Sequence, residues 1–486
     1  MFRRISYSIA AFALILSIVW AGRPIRGAET MSEAEFAARL ERMERENRAL
    51  EQEIHASRGT VFPSESVLSE DSSAEVPEEN RYFFQFADTP SEENALGYDY
   101  SSSVVNMSRD DLEGELARTK NWQWRKDSFT VTPYVWFWMS GTYETNQMAA
   151  GDFPLYVRPR FGEDERSHSY IDVKPSRLGL VVTAPECGLF RDSKISGVFE
   201  ADFEGQYLTE NKSDIAMRKA YFDVKNEDWY LLVGQTWELL GPLFPPTLNW
   251  GFGVTAGNFG FRRPMIRYDR YFRQRNGRLA LQASVNSSNT IQSISTSQGV
   301  YDGEMGRWPD FQFRVERSYD HFGPWKEAKF SIGGHIGERE YEQLIDQRHV
   351  QSWSVQADWF FRFDEKSVFY GEVWTGELLA FSYCGIIQDL NPQTLESVGS
   401  TGGFAAFGHD FTKRLHFNVG CGVDDPWNSR LCRGMRSRNS IIFANLSYDF
   451  TKQFTVGYDH CYYRTSYFGQ DTADSHYMSL VMTYKL

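Results

Sequence analysis

The sequence predicts an all-β protein, a transmembrane antiparallel β-barrel, with a short α-helical coiled coil ahead of it. Three observations carry this expectation. A two-residue apolar rhythm runs from Trp122 to the C-terminus, and aromatic residues make up 16% of the chain. Yet the chain is polar as a whole, with a mean hydropathy of -0.48. A bundle of membrane helices needs several apolar runs of about 20 residues, and none occurs downstream of the N-terminus. A barrel needs only alternate residues facing lipid, so its lumen and loops can stay polar.

The N-terminal residues are of a different kind. Arg3 and Arg4 precede an apolar stretch from Ile9 to Trp20, too short for a stable bilayer anchor and followed by small residues. Residues 1–28 are therefore expected to be a signal peptide cut after Ala21 or Ala28, the alternative being an uncleaved anchor. Over 29–57, Phe36, Leu40, Met43, Asn47, Leu50 and Ile54 fall at alternating spacings of four and three, the seam of a coiled coil with a register-setting Asn. An oligomerisation peg in the periplasm is the expectation, with dimer and trimer both open. A lone solvated helix is the alternative. Residues 58–121 are acidic and Ser-rich, as in Glu70-Asp71-Ser72-Ser73, and read as a mobile linker.

The barrel is expected over 122–486. Leu178, Leu180 and Val182 share one face against Arg177 and Gly179. Leu279, Leu281, Ala283 and Val285 oppose Arg278, Gln282 and Asn286, and Trp353, Val355, Ala357, Trp359 and Phe361 oppose Ser354, Gln356 and Asp358. A soluble β-sandwich also alternates. Against it stand the length of the pattern and the last strand, where Met478, Leu480, Met482, Tyr484 and Leu486 keep one apolar face to the end. Trp136-Phe137-Trp138, Trp229-Tyr230 and Tyr462-Tyr463 lie near segment ends, where interfacial aromatic girdles are expected.

Several phrases, taken in order, carry a family resemblance: Ser176-Arg177-Leu178-Gly179-Leu180, Phe199-Glu200-Ala201-Asp202-Phe203, Met217-Arg218-Lys219-Ala220-Tyr221 and Gly234-Gln235-Thr236-Trp237. Pro246-Thr247-Leu248-Asn249, Arg262-Arg263-Pro264-Met265-Ile266-Arg267-Tyr268 and Gly371-Glu372-Val373-Trp374 follow. With these the region from Asp172 onward resembles the DcaP-like trimeric porins of Gram-negative outer membranes. The resemblance implies 16 strands, a homotrimer in outer-membrane lipid, a periplasmic coil before the barrel, and passage of small organic anions such as dicarboxylates. The acidic linker is longer than that family leads one to expect.

In a pore the chemistry is electrostatic, set by charges on the lumen wall. Arg262, Arg263, Arg267, Arg270, Arg273, Arg275 and Arg278 form the densest basic run. Ile266 and Tyr268 mark the lipid face, which places Arg267 in the lumen. Arg177 reaches it by the same parity, and Arg218 does if Ala216 and Ala220 point inward. A guanidinium fork matches a carboxylate bidentately, so these arginines, with Arg262, Arg263 and Arg270, are the candidate solute contacts. Glu200, Asp202 and Glu372 are their candidate wall partners. The bland reading is that such charges merely pair and stiffen the wall; another places the basic run against lipid A phosphates.

The net charge of -14 makes nucleic acid an unsuitable partner. The five cysteines form no CxxC pair, which argues against structural zinc and a disulfide framework. Cys421 and Cys432 flank one expected loop, either as a bridge or as free thiols. No hydrolase or dinucleotide motif is present and no cofactor is called for. The alternative function is a structural tether, the coil gripping the cell wall and the barrel serving as its anchor.

Overall fold

In the computed structural model, residues 124–126, 129–151, 153–159, 167–184, 193–204, 214–251, 253–288, 307–340 and 349–486 are described. The expected signal peptide, coiled coil and linker lie outside them.

The strands are β1 (Trp124–Lys126), β2 (Phe129–Glu144), β3 (His168–Asp172), β4 (Arg177–Ala184), β5 (Lys194–Asp202), β6 (Ala216–Lys225), β7 (Trp229–Trp237), β8 (Arg262–Arg273) and β9 (Arg278–Asn286). They continue as β10 (Asp310–Tyr319), β11 (Glu327–Glu340), β12 (His349–Arg362), β13 (Ser367–Glu377), β14 (Gly399–Asp410), β15 (Leu415–Pro426), β16 (Arg436–Asp449), β17 (Phe454–Tyr467) and β18 (Ala473–Lys485). β3 and β4 are halves of one barrel strand, both paired with β2. Where they part, Ser176 Oγ takes the place of the ladder, accepting from Trp138 N at 3.0 Å and donating to Trp138 O at 3.1 Å.

Neighbours pair antiparallel in chain order, and β18 pairs with β2, so a 16-strand barrel closes. Closure is what lets a sheet live in lipid, because no row of backbone groups is left unpaired. Trp124 pairs with Val131 at the foot of β2, just past the point where Leu486 exchanges backbone hydrogen bonds with Val135 at 2.9 and 3.1 Å. Among the described residues no helix is long and apolar enough to cross a membrane.

The expected parity holds. Leu178, Leu180, Ile266, Tyr268, Val355, Leu480 and Tyr484 are exposed on the outer face, while Gln282, Ser354, Gln356, Asp358, Ser479 and Thr483 are buried inside. One end carries short turns (226–228, 274–277, 363–366, 411–414, 450–453) and both described chain ends; the other carries long loops (145–167, 238–261, 378–398).

The expected aromatic girdle holds in part, since Phe137, Trp229 and Tyr462 take the outward parity. Trp136, Trp138, Tyr230 and Tyr463 point inward and are buried, leaving Phe137 as the exposed member of its trio. A further belt follows the short turns. Trp325 packs edge-on to Phe361 and Phe363, Phe411 meets His409 and Phe417, and Phe450 lies between Tyr448 and Phe454. Two of these turns repeat the phrase Asp-Phe-Thr-Lys, at Asp410 and Asp449. In each, the Thr hydroxyl (Thr412, Thr451) accepts two backbone amides of the turn at 3.0–3.2 Å. In the turn 363–366 the Lys366 amide, 2.8 Å away, holds the Asp364 carboxyl below its ordinary range.

Candidate functional site

The barrel wall is laced on one side, β4–β12, with charge. Arg218, 1% exposed, donates from Nε to Glu200 Oε1 and from Nη1 to Asp202 Oδ2, both at 2.6 Å. It reaches both because β6 bulges opposite Glu200 and Ala201, so Arg218 is skipped in the ladder. Tyr134 OH adds a 2.6 Å hydrogen bond to Glu200 Oε2. Its ring crosses Gly179, where a Cβ would lie 2.1 Å from Tyr134 Cζ; only glycine leaves that passage open.

Arg177 stands beside this triad, 4% exposed, its guanidinium 4.2 Å from the Trp136 ring centre and 4.6 Å from that of Trp250. The second face of Trp250 takes Arg218 at 4.4 Å. Arg262 lies over Trp237 at 5.2 Å and Phe261 at 4.7 Å, within Coulombic reach of Arg177, Arg218, Glu200 and Asp202. Arg177 Nε and Nη2, and Arg262 Nε and Nη1, are buried with no hydrogen-bond acceptor among the described residues. Five predicted residues thus come together: Arg177, Arg218, Arg262, Glu200 and Asp202.

The other predicted residues do not join them. Arg263 forms a second cluster, with Nε 3.2 Å from Glu238 and Nη1 3.2 Å from Asp310, which Arg339 also grips at 2.6 and 2.7 Å. Phe381 lies between the two guanidiniums, 4.4 and 4.3 Å from them. Arg267 is inward, as expected, and bidentate with Asp269 at 2.9 and 2.7 Å. Arg270 is a correction: it shares the outer face with Ile266 and Tyr268 and donates to Asp228 O at 3.2 Å. In mid-strand, parity keeps it off the lumen once Arg267 points inward; Arg262, of the same parity, escapes this only because it opens the strand, half-buried against Trp237 and Phe261. Glu372 sits on the far wall and forms no ion pair among the described residues: it accepts Phe259 N at 2.7 Å and Gln356 Nε2 at 3.0 Å.

The lumen between these walls is crossed by the loop 238–261. Its described residues are buried throughout except Pro242 and Phe261, which are half-buried. Its near end is tied by Glu238, which accepts Phe261 N at 2.8 Å and Ser382 Oγ at 3.0 Å. Its far end is tied to β12–β17. Asp459 Oδ2 accepts Leu248 N, Asn249 N and Asn249 Nδ2 at 3.1, 3.0 and 2.8 Å. Asn445 Nδ2 donates to Pro246 O at 2.6 Å, Asn439 Nδ2 to Thr255 O at 2.9 Å, and Trp374 Nε1 to Gly257 O at 2.8 Å. Glycines in the wall make room for it: a Cβ on Gly422 would meet Ala256 O at 2.2 Å, and one on Gly457 would meet Leu248 Cδ1 at 2.4 Å. Gly257 itself, at φ +117, approaches the backbone of Gly403.

The sequence reading missed this loop, Trp250, and the lumen roles of Trp136, Asp459 and Glu238. A usable signal for Trp136 was present, since Phe137 and Met139 share the lipid parity and leave Trp136 and Trp138 inside. Cys421 and Cys432 are both free thiols, Cys421 exposed and Cys432 buried with its thiol pushed up by burial. Among the described residues no cluster of three or more His, Cys, Asp or Glu is arranged to hold a metal.

No family model and no curated protein matches the chain. Among solved structures it is similar to the outer membrane channel DcaP of Acinetobacter baumannii, at 14% identity and a TM-score of 0.61, over 74% of this chain and 99% of that one. It is also similar to the anion-selective porin from Comamonas acidovorans, at 12% identity and a TM-score of 0.48, over 74% of this chain and 100% of that one. A third is Salmonella typhi OmpF in complex with daunomycin, at 11% identity and a TM-score of 0.48, over 75% and 100%. What 14% identity shares is the fold: the described part of this chain has the barrel fold of the DcaP channel.

Proposed function

We propose that the chain is an outer-membrane porin through which small hydrophilic solutes diffuse, with a preference for organic anions such as dicarboxylates. The observation that carries this reading is the set of four buried guanidinium nitrogens, two on Arg177 and two on Arg262, without an acceptor among the described residues. An unpartnered charge in a dry site is costly, and a passing carboxylate supplies the missing acceptors. Arg218 is already neutralised by Glu200 and Asp202, so it sets the cluster's geometry rather than its free valence. Arg263 and Arg267 stiffen the wall in the same way. The short-turn end, where both described chain ends lie, faces the periplasm in this reading. The N-terminal coil (29–57) would then hold a homotrimer together beneath the outer membrane.

The test is ion selectivity in planar bilayers. Arg177→Glu with Arg262→Glu should move the reversal potential toward cations. An unchanged potential removes both residues from the conduction path. The alternative, a tether between cell wall and outer membrane, predicts a folded barrel that passes no current.

A further inference from the structure

Glu372, Asp424 and Asp459 are fully buried, and among the described residues none of them forms an ion pair. All three spend their charge on backbone amides of inward-folded loops. Asp459 and Glu372 hold the loop 238–261, as described, and Asp424 Oδ2 accepts Ile386 N of the loop 378–398 at 2.9 Å. The opposite wall does the reverse, matching nearly every carboxylate with an arginine or lysine: Glu200 and Asp202 with Arg218, Asp310 with Arg263 and Arg339, and Asp358 with Arg314. The loop is therefore anchored by the Glu238–Arg263 ion pair where it meets β7 and β8, and at Leu248, Asn249 and Phe259 by carboxylates that form no ion pair among the described residues.

The groups around each carboxylate are few. Facing Asp459 are Cys461, whose thiol donates to it at 3.5 Å, the Asn249 and Asn445 amides, and Tyr463. No cation faces it from β16, β18 or the loop among the described residues. Facing Glu372 are Gln356, Asp358, Cys384 and Arg314, and Arg314 is spent on Asp358 at 3.1 and 2.8 Å. A charged carboxylate accepts at both oxygens, whereas a protonated one must place its own O–H and gives up acceptor capacity. Three loop donors and the Cys461 thiol converge on Asp459 Oδ2, so protonation turns charge-assisted hydrogen bonds to Leu248 and Asn249 into weaker neutral ones.

We propose that Asp459 and Glu372 are a proton-operated latch: protonation loosens their hold on Leu248, Asn249 and Phe259, lets the loop 238–261 move off the wall and widens the aqueous path. The proposal rests on the porin reading above. The experiment is single-channel recording of the full-length protein as the bath is taken from about pH 7 to about pH 5, with Asp459→Asn/Glu372→Gln as the variant that keeps shape and cannot titrate. The wild type should show larger and noisier openings in acid. The variant should show them already at neutral pH and lose the acid response. Asn249→Cys places a second thiol where the amide lies 3.2 Å from Cys461 Sγ; oxidation should pin the loop and abolish the acid response, and reductant should restore it. Steady currents identical across the pH range, or a variant that keeps the wild-type response, overturn the latch. Silence of the wild type at every pH would instead overturn the porin reading.

Discussion

Arg177 and Arg218 show how two identical side chains, in contact with the same indole, take opposite roles. Arg218 has two carboxylates and is a structural ion; Arg177 has two aromatic rings and forms no ion pair among the described residues. Removing Arg218 should therefore act on stability before selectivity. Arg218→Ala leaves Glu200 and Asp202 buried and uncompensated, which costs about 3–5 kcal/mol in comparable sites. The expected result is a lower temperature for loss of the barrel's heat-resistant gel mobility. Adding Glu200→Gln and Asp202→Asn should recover much of it. If Arg218→Ala alone unfolds at the wild-type temperature, the triad is not holding the wall. The inward placement of Arg177 and Arg267 was legible because parity is absolute once a neighbouring Leu or Ile faces lipid. Arg270 follows the same rule, and the sequence reading misplaced it by treating a dense basic run as if all its members shared one face. Glu200 and Asp202 were legible as partners for an arginine, but not which arginine they take, since Arg218 reaches both only through the bulge in β6.

At the scale of elements, strands could be read and loops could not. A strand's period of two is fixed by backbone geometry and by lipid, so the terminal strand from Met478 to Leu486 is visible residue by residue. Loops have no period. Pro245-Pro246-Thr247-Leu248-Asn249-Trp250 gave no hint that its amides would meet Asp459, far away in the chain. The girdle was misread in part for a related reason, because consecutive aromatics such as Trp136-Phe137-Trp138 necessarily point to both faces. The lipid face makes its own prediction. Leu480, 45% exposed on the outer wall, when changed to Arg should cost roughly 2–4 kcal/mol if near the bilayer midplane and less toward either interface. Urea titration of the protein folded into lipid vesicles measures it. A variant as stable as the wild type would place Leu480 off the lipid face.

For the whole molecule, the expected class, a closed antiparallel barrel over the C-terminal three-quarters of the chain, is what the structure shows. The strand count and the porin likeness came from phrases such as Ser176-Arg177-Leu178-Gly179-Leu180, and the fold of the DcaP channel agrees with them. The signal peptide, the coil and the trimer rest on the sequence. Deleting 29–57 should shift the detergent-solubilised protein toward monomers in light scattering while the barrel survives; an unchanged oligomer would give the coil another task. The central claim is that an oily outer wall encloses a continuous, arginine-biased aqueous path past the loop 238–261. Purified wild-type protein in a planar bilayer under a salt gradient tests it most directly. The account predicts steady openings with a reversal potential on the anion side, and a correctly folded barrel that conducts nothing, or favours cations, would contradict it.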